Sequence, residues 1–237
     1  MKPLTALSPV LAPLTAASLA LAAVAGAAAP AAADPATASS AAAAAPSAAD
    51  AGALLRAIVG SYTSRPAVQM TFVQTYAPSG FPDATPETGT LTIQAPASLR
   101  FDYDGPEGKV YTFDGRAARQ YVAADRQIVL KTLTAAEKAR LPLLFLQPPA
   151  EVLARFAAAA RPAGNGLVDL TLTPRSEGDL RSLAILATPS GEVKRLVVLD
   201  GEGNRTTFTF TNQAPRKKRP ASDFALVPPK GTKVVSE

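Results

Sequence analysis

Between Gly89 and Asp114 the chain alternates apolar and polar residues with a period of two, and this constrains the fold more than any other feature. Leu91 and Ile93 alternate with Thr90, Thr92 and Gln94; Leu99, Phe101 and Tyr103 alternate with Arg100, Asp102 and Asp104. A strand sends successive side chains to opposite faces, so each segment has one apolar face and one polar face. Ala95-Pro96-Ala97 and Gly105-Pro106-Glu107-Gly108 supply the turns. An antiparallel sheet with one greasy side needs something to lie on that side, either its own core or a ligand.

The same period runs through most of the chain beyond residue 66. Strands are expected at Ala67–Tyr76, Lys109–Phe113, Ala117–Val122, Gln127–Lys131, Leu167–Thr173, Leu180–Thr188, Val193–Asp200 and Arg205–Asn212. Asp114-Gly115-Arg116 marks one hairpin turn. A helical stripe, Leu54, Ile58 and Tyr62 with Leu55 and Val59, precedes them over residues 50–63 and ends before Pro66. Midway the pattern turns helical again. Thr134-Ala-Ala-Glu137 fits a capping box, Leu143-Leu144-Phe145-Leu146 is apolar all round, and a second helix is expected from Pro149 to Ala160. The sum is nine or ten strands in meander order, with helices enough to cover one face only. The expected fold is mainly β: a curved antiparallel sheet forming an unclosed half-barrel under a helical lid, with the ligand site beneath that lid.

Composition removes most chemistry. Among 237 residues there is no Cys and no His. Disulfides, thiolate nucleophiles, Cys/His metal sites and His-based triads are therefore impossible. Ser61, Ser79 and Ser190 have no base partner, and Gly201-Glu202-Gly203 reads as a turn because no helix or Lys follows as a phosphate loop requires. Asp102 and Asp104 share one strand face, the arrangement acid–base work needs, but beside Arg100 they read as a solvated outer face. No enzyme, metal or cofactor is expected. A net charge of +5 is mild and argues against a nucleic-acid partner. The basic run Arg216-Lys217-Lys218-Arg219 is either a solvated loop or a contact for an acidic partner or lipid headgroups.

The N-terminus has the make-up of an export signal. Met1-Lys2 is followed by an Ala/Leu/Val-rich stretch to about Val24 and by small residues over Ala25–Ala33. Pro3, Pro9 and Pro13 suit a spanning helix badly. We expect a signal over residues 1–33, an Ala/Pro/Ser-rich disordered linker over 34–49, and one folded domain over 50–237, placed in the periplasm.

The largest apolar surplus is Leu91, Ile93, Leu99, Phe101 and Tyr103 on the sheet, matched by Leu143–Leu146 on the inserted segment. On pattern alone this is either an ordinary core or the lining of a cavity. The order of local motifs adds to it. These are Phe72-Val-Gln74, Gly89-Thr-Leu91, Pro96-x-x-Leu-Arg-Phe-Asp-Tyr103, Pro106-Glu107, Asp114-Gly115, Pro142-Leu-Leu-Phe-Leu146, Leu172-Thr-Pro174, Asp200-x-x-Gly203 and Phe224-x-Leu-x-Pro-Pro-x-Gly231-x-x-Val234. As an ordered set, over nearly all of residues 51–237, they resemble the periplasmic outer-membrane lipoprotein carrier family LolA.

The resemblance implies an unclosed barrel whose greasy inside shelters the acyl chains of a lipoprotein. It implies a chaperone that takes acylated lipoproteins from an inner-membrane lipoprotein-releasing ABC transporter to an outer-membrane lipoprotein receptor, acting as a monomer. The lining would be Phe72, Leu91, Ile93, Leu99, Phe101 and Tyr103, closed by Leu143, Leu144, Phe145 and Leu146. Family members carry an Arg before the Pro that matches Pro96, and a lid-side His. Here the position is Ala95 and the chain has no His, so the Arg-centred latch of the family is either absent here or built differently. The family's receptor counterpart has a similar fold but is itself a lipoprotein, which a chain without Cys cannot be. A LolA-like binding module, a carrier for another lipid or polyene, and an envelope-stress sensor are the alternative readings.

Overall fold

The structure, a computed structural model, describes residues 48–236 apart from 83, 107, 135, 136, 139 and 140. The expected export signal, and the expected linker up to residue 47, lie outside the described residues. Helix α1 spans Ala48–Thr63, starting two residues before the expected domain boundary. Strands follow at β1 Ala67–Ala77, β2 Glu87–Gln94, β3 Ser98–Tyr103, β4 Lys109–Phe113, β5 Ala117–Val122 and β6 Gln127–Thr132. A 3-10 helix at Pro142–Leu146 and helix α2 at Pro149–Arg155 interrupt the strands. Then come β7 Phe156–Gly164, β8 Leu167–Pro174, β9 Leu180–Ala187, β10 Val193–Asp200, β11 Arg205–Arg216, the single turn α3 Ser222–Ala225, and β12 Lys233–Ser236.

The twelve strands form one sheet in the order β12-β6-β5-β4-β3-β2-β1-β11-β10-β9-β8-β7. It is curved and unclosed, with β7 and β12 as its edges. Two meanders run outward from the central pair β1 and β11, which are distant in sequence yet paired over the whole of β1. Register places apolar residues in rows across the concave face. One row is Met70, Leu91, Phe101 and Tyr111, interrupted by the buried Gln120 before Val129; the next, Val68, Ile93, Leu99, Phe113 and Ala118, is apolar throughout. On the other half, Phe208, Leu196, Ile185, Leu170 and Ala160 continue the face. Helix α1 covers it with Leu54, Leu55, Ile58 and Tyr62, all nearly inaccessible, and packs on β1, β2, β7, α2 and the 3-10 segment.

Three details depart from the sequence expectation. Residues 156–160 are strand, not the end of a helix. Ala157–Ala160 favour helix intrinsically, but pairing with β8 from Phe156↔Pro174 to Gly164↔Leu167 satisfies their backbone and wins. The apolar segment at 142–146 is one short 3-10 helix, started by Pro142. Strand β12 pairs in parallel with β6, a contact across about a hundred residues that no local pattern signals. The capping box is formed as expected: Glu137 N donates to Thr134 Oγ1 (3.2 Å), and Thr134 N donates to Glu137 Oε2 (2.8 Å).

The chain after β11 wraps the convex face. Phe224, fully buried, packs with α3 against β3 and β4. Arg219 N donates to Gln94 Oε1 at 2.7 Å, Gln94 Nε2 returns a bond to Arg219 O, and Arg100 Nη1 donates to Asp223 O at 2.8 Å. This segment holds the outer face of β2–β4, leaving the inner face to α1 and the 3-10 helix.

Candidate functional site

The ten residues singled out from the sequence all lie in the layer between sheet and helices, and none is more than 8% exposed. Phe72, Leu91, Ile93, Leu99, Phe101 and Tyr103 form one patch on adjacent strands β1, β2 and β3. Leu143, Leu144, Phe145 and Leu146 face them from the 3-10 segment, which touches β3 and α1.

The rings interlock. Phe72 meets Phe101 at 5.1 Å and Tyr103 at 5.0 Å between centroids, both edge to face. Phe101 also meets Tyr111 and Phe208, at 6.0 and 5.8 Å. Edge-to-face pairs at these separations stabilise beyond simple area burial. Gly89 makes room: a Cβ there would lie 2.2 Å from Asp102 O and 2.8 Å from the Phe72 ring. The layer is closed by its own side chains, so an apolar guest enters only by displacing the cover.

The cover is latched at the C-terminal end of α1. Tyr62 Oη donates to Gln213 Oε1 at 2.8 Å and accepts from the buried Val193 N–H at 3.2 Å; Gln213 Nε2 donates back to Val193 O. Burial pushes the Tyr62 hydroxyl well above the usual tyrosine range, so it stays protonated and keeps donating. The Tyr62 ring stacks on Phe145 at 5.2 Å, and Phe145 meets Phe210 edge to face at 6.4 Å. One residue earlier, Ser61 Oγ donates to Gly191 O at 2.9 Å. Gly191 has φ +91°, and a Cβ on it would lie 2.2 Å from Ala57 O, so a side chain at 191 would push α1 away. At the position where the family carries an Arg, Ala95 sits in the β2–β3 turn, as the sequence reads. In this chain the closing contacts come from Tyr62, Gln213 and Ser61.

Sequence reasoning missed Tyr62, Gln213, Tyr111, Phe208 and Phe210 as parts of this site. The alternation of Phe208 and Phe210 with threonines marked an apolar face, but only the β1–β11 pairing shows that it is the same face. Gln213 carries no signal before its neighbours are known.

The carboxylate pair stays on the convex side. Asp102 accepts a forked contact from Arg100 (2.7–2.9 Å), and Asp104 accepts from Thr88 Oγ1 at 2.7 Å. Both carboxylates thus take part in outer-face contacts. Of the basic run, Arg219 is held by Asp223 at 2.7 Å and Arg216 donates to Gln69 Oε1, while Lys217 and Lys218 are exposed.

Comparison with known proteins bears on what this layer holds. The family model described as outer membrane lipoprotein carrier protein LolA matches residues 64–227. The outer-membrane lipoprotein carrier protein of Pseudomonas syringae pv. syringae is 26% identical over 150 residues, covering 63% of this chain and 72% of the relative. That of Pseudomonas fluorescens strain Pf0-1 is 27% identical over the same shares. Among solved structures, a LolA superfamily protein from Nitrosomonas europaea aligns loosely, with a TM-score of 0.42 and 11% identity over 73% of this chain and 96% of that one.

Proposed function

Since the chain belongs to the LolA family of outer membrane lipoprotein carrier proteins, we propose that its concave face binds the acyl chains of lipoproteins released from the inner membrane. The protein then carries them across the periplasm to the outer membrane. The observation that carries this reading is the apolar row that runs unbroken over the five adjacent strands β1–β5, covered by a short, wholly apolar 3-10 segment and one helix. The export-signal make-up of residues 1–33 supports that compartment. An inner-membrane lipoprotein-releasing ABC transporter supplies the cargo and an outer-membrane lipoprotein receptor takes it, with the carrier acting as a monomer and not as an enzyme.

The energetics fit. Each buried CH₂ is worth roughly 0.8 kcal/mol, so a chain of about fifteen costs on the order of 12 kcal/mol to leave in water. Shelter is therefore obligatory during the crossing. The layer is already closed by Leu143–Leu146 and α1, so the guest gains its burial by replacing contacts these elements make with the sheet. The net grip is much weaker than 12 kcal/mol, as a carrier that must let go requires. Release follows when a partner binds the cargo better or when the cover opens.

The test is binding of a triacylated lipopeptide to the chain, with the same peptide unacylated as control. Saturable one-to-one binding of the acylated peptide alone supports the reading. Equal binding of both, or of neither, overturns it and leaves the layer a permanent core.

A further inference from the structure

One cluster on the concave face is polar where its surroundings are apolar. Gln74 on β1, Tyr103 on β3 and Lys109 on β4 are 1%, 8% and 4% exposed. Glu87, at the start of β2, is the register partner of Gln74. The Lys109 ammonium pairs with Glu87 and lies 3.8 Å from the centroid of the Tyr103 ring. Tyr103 Oη donates to Gln74 Oε1 at 2.7 Å. Burial, and then the Glu87 charge, raise the Tyr103 hydroxyl well above the usual range, so this donation persists at any ordinary pH.

The other half of the amide is left over. Gln74 Nε2 is buried with no hydrogen-bond partner among the described residues. A buried donor left unmade costs about as much as a lost hydrogen bond, and an apolar residue of the same size would avoid that cost. The amide sits beside Phe208, its register partner on β11, and its oxygen is held by Tyr103, whose ring packs edge to face on Phe72. It also sits near the rim. The Glu87 side chain is one-third exposed, whereas Leu91 and Phe101, two rows further in, and Leu99, three rows in, are fully buried.

We propose that Gln74 Nε2 is the donor that reads an ester carbonyl of the bound lipid, and that Tyr103 orients the amide for it. This deepens the carrier reading and rests on it. An ester carbonyl accepts and cannot donate. Tyr103 already occupies the amide oxygen, so the site presents a donor alone. A carbonyl held at Gln74 would lie at the rim, and its acyl tail would run inward over Phe72, Leu91 and Phe101. The ester of the cargo then meets a polar spot near the rim of the apolar wall, and the chain end is fixed relative to that rim.

The experiment is equilibrium binding of two lipopeptides with equal chain lengths to the full chain: a diacylglyceryl-cysteine peptide and its dialkyl ether analogue, which lacks both ester carbonyls. Each is measured with wild type, Gln74→Leu and Gln74→Met. A buried hydrogen bond to an uncharged acceptor predicts a wild-type preference for ester over ether of about tenfold. Both variants should bring that ratio near one while still binding the ether analogue, which also shows that they are folded. Wild type binding both lipids equally, or an ester preference that survives both substitutions, overturns the proposal and leaves the carrier reading standing. Wild type binding neither lipid overturns both.

Discussion

Replacing Tyr62 by Phe removes one oxygen from the latch and leaves the ring stacked on Phe145. The oxygen serves two groups, the buried Val193 N–H and Gln213 Oε1. Gln213 is only half-buried and can turn to water, so the main loss is the Val193 N–H left without an acceptor. A buried donor in that state costs about 1–3 kcal/mol. At about 2 kcal/mol, and with roughly 2–4 °C per kcal/mol for a domain of this size, the melting temperature should fall by about 4–8 °C. The loss is local to the end of α1. Amide exchange over Leu55–Tyr62 should therefore speed up by roughly thirtyfold, the same free energy expressed as an opening equilibrium. Exchange in β2 and β3 should stay nearly unchanged. A thermal melt and site-resolved hydrogen exchange on both proteins are sufficient. If melting and α1 exchange both match wild type, the hydroxyl is not holding α1 and the latch is wrongly assigned.

Gly89→Ala forces a methyl against Asp102 O and the Phe72 ring. Denaturant titration should show a loss of about 1–3 kcal/mol, and an unchanged midpoint would contradict the close approach. Phe224→Ala should cost about 3–5 kcal/mol by emptying the convex-face pocket under α3, and should open the 216–227 segment to limited proteolysis. The pH profile of stability should be level from about pH 5 to 9, because a chain without His has no side chain titrating there at its ordinary value. The buried hydroxyls of Tyr62, Tyr103 and Tyr111 hold their protons more tightly folded than unfolded, chiefly through desolvation. Stability should therefore fall as pH rises beyond about 10, where the unfolded chain ionises first. At Asp114, burial pushes the carboxyl up, but the N–H groups of Ala117 and Arg116 and the Arg119 guanidinium outweigh it. At Glu137, Lys131 and Thr134 likewise outweigh burial. Both carboxyls end below their usual range, so their contribution is complete above about pH 4 and is lost as pH falls through and below that. A melting temperature that changes sharply between pH 6 and 8 would contradict this account.

How much was legible in advance depended on the range of the interaction. Period-two alternation located ten of the twelve strands because facing is decided residue by residue. It failed at Ala157–Ala160, where four alanines carry no face of their own and the partner strand decides. It failed again at Lys233–Ser236, where a four-residue strand exists only because β6 has a free edge. The capping box at Thr134 and Glu137 was readable because both halves lie within one turn. The latch was not, since Tyr62, Val193 and Gln213 are separated by up to 151 residues and each is unremarkable alone.

The sequence by itself determined the alternating faces, the turns, the absence of Cys and His chemistry, and the ten apolar residues that end up in one layer. Local sterics and side-chain type suffice for these. Only the tertiary structure decided that β1 joins β11, and so that the two meanders share a single concave wall. It also decided that Tyr62 closes the cover, and that the Gln74 amide nitrogen is left inside without an acceptor. Those are properties of pairs brought together by folding, and nothing at either position alone encodes them.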